Sequence, residues 1–454
     1  MTALHWFRRD LRLADNPALL RAAEAGEGQV VPLFVLDPAL WGPAGAVRQA
    51  YLNASLRALD ADLDGALHVR RGDPIEQVVA VARSAGASTV HVAADTGPYG
   101  RRRDCAVEHA LAEAGITLVR TGCAYAVPPG SVRTKQKGPY SVFTPFSRAW
   151  NEHGWPEPAP APSGVTWTTV AGAGDELFVD PDLGQTALPE AGEKAARERW
   201  AAFRDDAAEG LDGYADRRNR PDLAGTSALS HHLKWGEVHP RTLLGDLAGR
   251  DDDGARTFRN ELAWREFYAD VLWHHPDSAR EYYRPEFASM PYDEPDDLVQ
   301  AWKDGRTGYP FVDAGMRQLL AEGWMHNRLR MVVASFLVKD LHVEWQHGAR
   351  HFMRWLRDGD LASNSHGWQW TAGSGTDAAP YFRVFNPVTQ GLRFDPDGDY
   401  VRRYVPELRH LSGKAAHEPW RSDDGYAHGY PARIVDHGEE REEALRRYQA
   451  VTGR

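Results

Sequence analysis

The sequence is poor in cysteine and contains no long apolar run, and each absence excludes a class of protein. Only Cys105 and Cys123 occur among 454 residues, which excludes a disulfide framework and leads us to expect a reducing, cytoplasmic location. No run of about 18 apolar residues is present, so we expect no membrane-spanning helix. The opening residues MTALHWFRRDLRL have no apolar segment behind their charges, so we expect no signal peptide.

The chain also lacks an excess of positive charge. Lys and Arg number 53 against 64 Asp and Glu, which gives a net charge of −11 at pH 7. A protein that coats nucleic acid indiscriminately needs the opposite sign over much of its surface. The charge balance therefore argues against such a protein, but it permits a local basic rim around one DNA site.

The first part of the chain alternates short apolar runs with helical patterns. ALHW at 3–6, VVPLFVL at 30–36 and TVHVAA at 89–94 are typical of buried strands. The alternation predicts a Rossmann-like α/β domain with a parallel, five-stranded sheet. Because such sheets bind ligands at the carboxyl ends of their strands, Asp37 and Asp95 are expected to line a crevice. The sequence has no GxGxxG motif, so nothing indicates a dinucleotide there.

The composition changes after Val127. The segment PEPAPAPSGV at 156–165 is typical of an extended, exposed linker, and from about residue 193 the pattern is helical almost to the end. We therefore predict three parts, which are an α/β domain at 1–130, an interdomain linker at 131–195 and a larger all-α domain at 196–454.

The stretch at 324–390 places charged residues within an apolar helical pattern. Asn327 and Arg330 share one helix face, and a buried Arg requires a partner, for which Asp358 and Asp360 are candidates. Two interpretations fit, namely a structural ion pair between helices and a polar pocket for a ligand. Four tryptophans nearby favour the pocket, because a polar patch ringed by indoles suits a flat aromatic ligand. They are Trp345, Trp355, Trp368 and Trp370.

Two other helical segments carry polar residues in unusual places. The Thr-Ser pair of AGTSALS at 224–230 precedes a helical pattern, where hydroxyls either cradle a phosphate or cap the helix. In NELAWREFYADVLWHHP at 260–276, Glu261, Trp264 and Arg265 lie on one stripe. Such a stripe is normally apolar, so the Glu and Arg indicate that it lines a cavity.

Several motifs together resemble the photolyase/cryptochrome family. They are MHNRLRM at 325–331, DGDLASN at 358–364, GWQW at 367–370, TDAAPYFR at 376–383, FNP at 385–387, WFRRDLRLADNPAL at 6–19 and PYSVFTPFSRAW at 139–150. More narrowly, they resemble class I DNA photolyases, which repair cyclobutane pyrimidine dimers with light. The resemblance implies one non-covalent FAD, damaged DNA as the partner, no membrane, no metal and a monomeric protein.

The resemblance also implies roles for particular residues. The cofactor set is Tyr214, Thr226, Ser227, Ala228, Leu229, Ser230, Arg265, Asn327, Arg330, Asp358, Asp360 and Asn364. Many family members have Arg where Ala228 stands, so that side-chain contact is expected to be absent. Asn364 would lie beside flavin N5, where plant cryptochromes typically have Asp and animal ones Cys, and this favours repair over signalling.

The implied catalytic and DNA-binding residues complete the set. The DNA-facing residues are Arg218, Glu261, Trp264, Asn327, Arg328, Met331, Trp370 and Gln390, with Glu261 and Asn364 also in catalytic roles. The family re-reduces its flavin through a relay of three Trp. Trp368 and Trp345 match its first two members, and Tyr292 stands where the third Trp is expected.

The resemblance implies an antenna chromophore in the α/β domain. DTGPYGRRRD at 95–104 is similar to the deazaflavin-binding members, whereas folate-binding members have an Asn-Glu pair where Tyr99-Gly100 stands. We therefore predict 8-hydroxy-5-deazaflavin with Asp95 and Arg48 as contacts. Methenyltetrahydrofolate, or no antenna at all, is the alternative.

Three other functions remain as alternatives to dimer repair. A cryptochrome-like photoreceptor without repair activity is disfavoured by Asn364 and by a chain that ends soon after HEPW at 417–420. Repair of (6-4) photoproducts is disfavoured because that branch has a His pair where His326-Asn327 stands. A purely structural DNA-binding domain leaves the cluster of Arg, Asp and Trp unexplained.

Overall fold

The computed structural model describes residues 2–170, 179–206, 209–377 and 383–453. The chain divides into two units by its internal contacts. Unit 1 comprises Met1–Asp182, Pro189–Asp205 and Ser227–Pro276, and unit 2 comprises Leu183–Leu188, Asp206–Thr226 and Asp277–Arg454. The domain boundaries predicted near residues 130 and 195 stay predictions.

Unit 1 contains a parallel sheet. Its strands are β1 (Thr2–Phe7), β2 (Gln29–Leu36), β3 (His68–Arg71), β4 (Thr89–Ala94), β5 (Thr117–Cys123) and β6 (Thr166–Trp167). Five of them run in the order β3-β2-β1-β4-β5, with Trp6 opposite Leu33 and Leu4 opposite Val90. The predicted α/β fold class is confirmed. The two-residue β6 adds a sixth parallel strand beside the start of β2.

Helices supply the remaining regular structure of the described ranges. They are α1 (Pro17–Ala25), α2 (Pro38–Trp41), α3 (Ala46–Asp62), α4 (Pro74–Ser84), α5 (Pro98–Glu113), α6 (Phe143–His153), α7 (Glu193–Asp205), α8 (Tyr214–Arg217), α9 (Ser230–Trp235), α10 (Pro240–Asp246), α11 (Asp253–His274), α12 (Asp296–Lys303), α13 (Pro310–Glu322), α14 (Asn327–Ser335), α15 (Trp345–Trp355), α16 (Leu361–Ala372), α17 (Pro387–Phe394), α18 (Asp399–Tyr404), α19 (Lys414–His417) and α20 (His437–Thr452). Within the part of the chain that the structure describes, none of these helices has the length and apolar character needed to cross a bilayer.

A buried ion pair holds the loop after β1 in unit 1. Asp15 has a φ of +52°, a left-handed conformation that Asp tolerates better than most residues. Its Oδ1 accepts hydrogen bonds from Arg241 Nη2 at 2.6 Å and from the Ala159 N–H at 2.9 Å. Asp15 and Arg241 are both buried, so either charge alone would be strongly destabilising. The pair therefore fastens the WFRRDLRLADNPAL segment to α10.

The core of unit 2 is rich in large aromatic side chains. Trp302, Phe311, Phe336 and Trp345 are fully buried and belong to one apolar cluster that also includes residues of α14 and α16. A five-residue π-helix, Phe336–Asp340, follows directly on α14. The close packing of these rings fixes α14, α15 and α16, which carry eight of the predicted site residues.

Candidate flavin and DNA site

An ion pair joins α14 to the loop before α16 in unit 2. Arg330 Nη2 donates to Asp358 Oδ2 at 2.7 Å, and Arg330 Nε donates to the Met325 carbonyl at 2.8 Å. The Asp358 side chain is 2% exposed and that of Arg330 is 26% exposed. Of the two predicted partners for Arg330, the structure therefore brings Asp358 to it.

The second oxygen of Asp358 is the unusual feature of this pair. Asp358 Oδ1 is buried and has no hydrogen-bond partner among the residues that the structure describes. An unsatisfied, buried carboxylate oxygen costs free energy, and an added hydrogen-bond donor would remove that cost. The orphaned acceptor therefore favours a pocket for a ligand with an N–H or O–H donor.

The start of α14 depends on a neutral histidine. His326 is the N-cap residue, and its Nδ1 accepts a hydrogen bond from the Arg328 N–H at 3.1 Å. Its own N–H donates to Gln318 Oε1 at 3.1 Å, which also accepts from the Tyr400 hydroxyl at 2.8 Å. Burial, and then the charges of Arg328 and Arg330, lower the pKa of His326 to about 3. The imidazole is therefore unprotonated at neutral pH, as the capping bond requires.

The side chains at the start of α14 differ in how far they are exposed to solvent. Asn327 is exposed, whereas Arg328 and Met331 are half-buried. Arg328 Nη2 donates to Asn219 Oδ1 at 2.7 Å, and the guanidinium lies 4.4 Å from the centre of the Phe394 ring. The predicted DNA-facing set on this helix therefore includes one side chain that is already fixed by polar and cation–π contacts.

Asp360 and Asn364 hold the first turn of α16. Asp360 is its N-cap residue and accepts a hydrogen bond from the Ser363 N–H at 3.0 Å. The side-chain amide of Asn364 donates to the Ala349 carbonyl at 3.1 Å. This bond uses one amide N–H and leaves the other N–H and the amide oxygen of the half-buried Asn364 for other contacts.

Trp368 packs tightly between helices, whereas Trp370 on the same helix is half-buried. The Trp368 ring lies edge-on to Phe352, with the ring centres 5.0 Å apart. A Cβ atom at Gly348 would overlap the Trp368 ring, so only glycine permits this close approach of α15. The indole of Trp368 is therefore held in a single orientation.

Tyr282, which the sequence reasoning did not name, contacts two residues of the predicted electron relay. The Trp345 ring lies 6.2 Å from Tyr282, and Tyr282 lies 6.3 Å from Tyr292 at an interplanar angle of 20°. The Tyr282 hydroxyl donates to Glu344 Oε1 at 3.0 Å. Burial raises the pKa of Tyr282, and it raises that of Tyr292 to about 12. Tyr282 thus stands between Trp345 and the predicted end of the relay, and no motif in EYYRPEF signalled it.

Three more predicted residues of unit 2 lie on short or exposed elements. Tyr214 on α8 is buried, and the Arg218 guanidinium lies 5.8 Å from the centre of its ring. Gln390 lies on α17, and its buried Oε1 has no hydrogen-bond partner within the described ranges. Residues 378–382 of the TDAAPYFR motif lie outside the described residues.

The turn before α9 differs from a simple capped helix. Leu229 is the N-cap residue of α9 and makes no side-chain capping bond, and Ser230 is the first helical residue. Ala228 has a φ of +52°, and the Ser227 carbonyl accepts a hydrogen bond from Arg199 Nε at 2.8 Å. Capping by a hydroxyl at the N-cap position is therefore not the role of this Thr-Ser pair. The phosphate cradle, with Thr226 in the other unit, stays a prediction.

The predicted polar stripe lies on α11 in unit 1. Trp264 stacks face to face on Phe143 of α6, with the ring centres 3.7 Å apart and the planes 6° apart. Arg265 donates to the carbonyls of Ala124 at 3.0 Å and Leu233 at 3.2 Å. Glu261 is half-buried. The stacking covers one face of the Trp264 indole, a contact that no sequence pattern indicated.

The crevice at the carboxyl ends of the strands is lined by charged groups. Arg103 Nη2 lies 3.2 Å from Asp95 Oδ2, and the Tyr99 hydroxyl donates to Asp37 Oδ2 at 2.6 Å. Burial alone would raise the pKa of Asp95, but Arg103 and other nearby arginines outweigh it and hold the pKa below its usual value. Arg48 is buried on α3. Asp95 is therefore an ionised residue at the point where the strand order reverses, between β1 and β4.

Comparison with known proteins identifies the family. Residues 3–163 match the family described as DNA photolyase, and residues 258–450 match the FAD binding domain of DNA photolyase. The deoxyribodipyrimidine photo-lyase of Halobacterium salinarum is 40% identical, with 99% of each chain covered. The chain belongs to the photolyase/cryptochrome family.

Two solved photolyases have the same fold as this family member. The crystal structure of a bacterial class III photolyase from Agrobacterium tumefaciens gives a TM-score of 0.91 at 38% identity, covering 100% of this chain and 98% of that one. An archaeal photolyase from Sulfolobus tokodaii with two FAD molecules gives 0.86 at 28% identity, covering 99% and 100%. The class to which this chain belongs within the family stays a prediction.

The residues of unit 2 fit the flavin that the FAD-binding domain implies. One end of a flavin ring carries an N–H donor between two carbonyl acceptors. The orphaned Asp358 Oδ1 is an acceptor for such a donor, and the Arg330 guanidinium beside it is a donor for such carbonyls. The fit rests on this pair, and the roles predicted for the other cofactor and DNA residues remain predictions.

A first prediction concerns the His326 cap. The pKa of His326 is about 3 in the folded state, below the ordinary 6.5, so the unfolded chain binds the extra proton first. The stability that this residue contributes is therefore present above pH 6.5 and is lost as the pH falls towards 3, by at most about 1.4 kcal/mol per pH unit. His326→Asn keeps a capping acceptor without a titrating group, and we expect its unfolding free energy to fall less steeply over this window.

Urea unfolding of the wild type and His326→Asn at several pH values measures the difference. His428→Asn serves as a control, since His428 is exposed. Parallel pH curves for the wild type and His326→Asn would contradict the neutral-cap assignment.

Proposed function

We propose that this protein is a deoxyribodipyrimidine photo-lyase that repairs cyclobutane pyrimidine dimers in DNA with light. The observation that carries the proposal is the likeness to photo-lyases over the whole chain, at 40% identity and 99% coverage for the Halobacterium protein. The unsatisfied Asp358 and its Arg330 partner supply the local support, because they suit a flavin ring.

Within this proposal, unit 2 holds the FAD. Arg330 and Asp358 orient the polar end of the ring, and Asn364 contributes an amide oxygen near it. Bound, reduced FAD supplies on illumination the electron that opens the cyclobutane ring and is afterwards returned. The side chains of this chain bind, orient and exclude water, and the tight packing around Trp368 keeps their geometry fixed.

The proposed DNA contacts include residues of α11 in unit 1 and residues of unit 2. On α11, the half-buried Trp264 indole would contact DNA with the face that Phe143 does not cover, and Glu261 is an acceptor one turn away. In unit 2, Arg328 and Arg218 would bind phosphates, and Gln390 offers an unsatisfied amide oxygen. Asn327, Met331 and Trp370 complete the proposed contact set. Enzymes that act on a base within a duplex must first extrude it, and photolyases are among the enzymes known to do so.

The function is tested by illumination of dimer-containing oligothymidine. We expect the protein with reduced flavin to restore thymine absorbance in light and not in the dark. Glu261→Ala should lower the repair yield about tenfold at unchanged flavin content, as expected for loss of one charged hydrogen bond of about 1.5 kcal/mol.

Glu198→Ala, which alters an exposed residue of α7, is the matched control. A wild-type protein that binds flavin and responds to light but leaves dimers intact would instead support a photoreceptor. Full yield in Glu261→Ala would remove Glu261 from the site.

We propose that electrons reach the bound flavin through Trp368, Trp345 and the tyrosines beyond them. Trp368→Phe is expected to abolish photoreduction of the oxidised flavin, followed by absorption spectroscopy, because phenylalanine is much harder to oxidise than tryptophan. Repair should persist once the flavin is reduced chemically. Trp167→Phe on β6 is the control, and it should photoreduce like the wild type.

Equal photoreduction rates in Trp368→Phe and the wild type would defeat the relay assignment. That result would leave the repair activity itself unaffected.

We also propose 8-hydroxy-5-deazaflavin as the antenna, bound at the crevice with Asp95 and Arg48. The support is an ionised carboxylate at the reversal of strand order, together with the DTGPYGRRRD sequence. The Sulfolobus photolyase with two FAD molecules makes a second flavin the alternative.

The test uses protein produced in a host that makes deazaflavin. Acid releases the bound chromophores, and their identity distinguishes a deazaflavin antenna from a second flavin. We expect FAD and a deazaflavin from the wild type, and FAD alone from Asp95→Asn, because the crevice loses the carboxylate that pairs with Arg103. Asp253→Asn, an exposed change, should retain both. Release of FAD alone from the wild type would contradict the antenna proposal.

A further inference from the structure

We propose that the segment 130–143, here called the basic loop, binds phosphates of the DNA backbone beside Trp264. This inference rests on the proposed function, which makes DNA the partner, and it adds a contact surface in unit 1. Residues 131–143 fall in the predicted linker, with 139–143 also in the PYSVFTPFSRAW motif, and neither pattern gave them a role.

The basic loop and the helix after it are positively charged in an acidic protein. Residues 128–151 contain Arg133, Lys135, Lys137 and Arg148 and no Asp or Glu, whereas the whole chain has a net charge of −11. All four side chains are exposed. Neither lysine is ion-paired with a carboxylate within the part of the chain that the structure describes. Their charge is therefore available to a partner from solution.

Both ends of the basic loop are attached to α11. At one end the Gly130 N–H donates to Asp270 Oδ1 at 2.6 Å, and a Cβ atom at Gly130 would overlap the Trp273 indole. At the other end Phe143 stacks on Trp264. Trp264 and Asp270 are six residues apart on α11, or about 9 Å along the helix. The loop therefore arises beside the aromatic face that the proposed function assigns to DNA.

The tip of the basic loop is ordered by its own hydrogen bonds. The Thr134 N–H donates to the Gly138 carbonyl at 2.9 Å, and the Lys137 N–H donates to the Thr134 carbonyl at 2.8 Å. Arg133 Nε donates to the Gly130 carbonyl at 2.9 Å. The Val132 side chain is buried and holds the basic loop against the protein. A preformed tip loses less conformational entropy on binding than a flexible tail of the same charge.

Phosphate is the partner chemistry that fits these features. The loop presents ammonium and guanidinium groups with no acidic neighbour in its own sequence. Exposed cations at a preformed position bind phosphates through charge, which gives affinity without sequence preference. The overall negative charge of the chain makes such a local positive surface necessary for any favourable approach of DNA.

The test is the salt dependence of DNA binding by flavin-loaded Lys135→Ala/Lys137→Ala. The binding constant K falls as salt concentration rises, and each phosphate contact adds about 0.9 to the steepness of log K against log salt concentration. Loss of two contacts should therefore make this slope shallower by about 1.8. The variant should bind dimer-containing and undamaged duplexes about tenfold more weakly at moderate salt, and by the same factor for both, because phosphates carry no damage signal.

Two matched variants control for charge. Lys194→Ala/Lys414→Ala removes two exposed lysines, each of which has a Glu one helical turn away, and it should keep the wild-type slope. Lys135→Arg/Lys137→Arg keeps the charge and should retain the slope as well. An unchanged slope in the alanine variant, or an equal decrease in the Lys194/Lys414 control, would overturn the proposal.

The outcome is separable from that of the proposed function. Salt slopes are measured in the dark on equilibrium binding, whereas repair of dimers by the illuminated wild type decides the enzymatic activity. If the wild type binds DNA with the expected slope but repairs no dimers, the proposed repair activity is wrong. The proposal that the basic loop binds phosphates would still hold.

Discussion

The ion pair between Arg330 and Asp358 is the constraint on which the site in unit 2 depends. A carboxylate that is 2% exposed has lost its hydration, and one guanidinium N–H at 2.7 Å satisfies only one of its oxygens. The other oxygen retains the full cost of an unmade hydrogen bond. A ligand that donates to it relieves that cost, and by linkage the bound state is more stable than the free protein. Binding of such a donor and folding stability are therefore coupled through a single oxygen atom.

The segment 357–360, which contains Asp358, contacts three neighbouring helices. The Arg357 N–H donates to the Gly323 carbonyl at 2.8 Å, at the end of α13. Asp358 then pairs with α14, and Asp360 caps α16. Because these contacts fall within four consecutive residues, a shift of Asp358 would displace the start of α16 and with it Asn364. Residues 357–360 are thus a junction of three helices.

Sequence reasoning succeeded where the signal was local and periodic. The apolar runs that became β1, β2 and β4 predicted the parallel sheet, and the requirement for a partner predicted that Arg330 would meet an Asp of the DGD motif. It failed where contacts depend on tertiary packing. The stack of Trp264 on Phe143 joins residues 121 positions apart, and Tyr282 lies beside Trp345 through the fold of an irregular segment. The two-residue β6 lies in a Pro-rich stretch whose composition is typical of a linker. The periodicity of apolar residues along the sequence does not predict such contacts between distant segments.

The arrangement of α11 explains how an acidic chain can present a positive surface in unit 1. Its acidic residues Glu266 and Asp270 are buried and accept hydrogen bonds from backbone N–H groups, Glu266 from Val127 at 3.0 Å and Asp270 from Gly130 at 2.6 Å. Burial raises the pKa of both carboxyls, and whatever negative charge they keep is directed at N–H dipoles inside the protein. These same bonds hold the segment from which the basic loop arises. Glu266 and Asp270 therefore hold the chain at the start of the basic loop while their own charge is directed into the protein, so net charge alone is a poor guide to where DNA can approach.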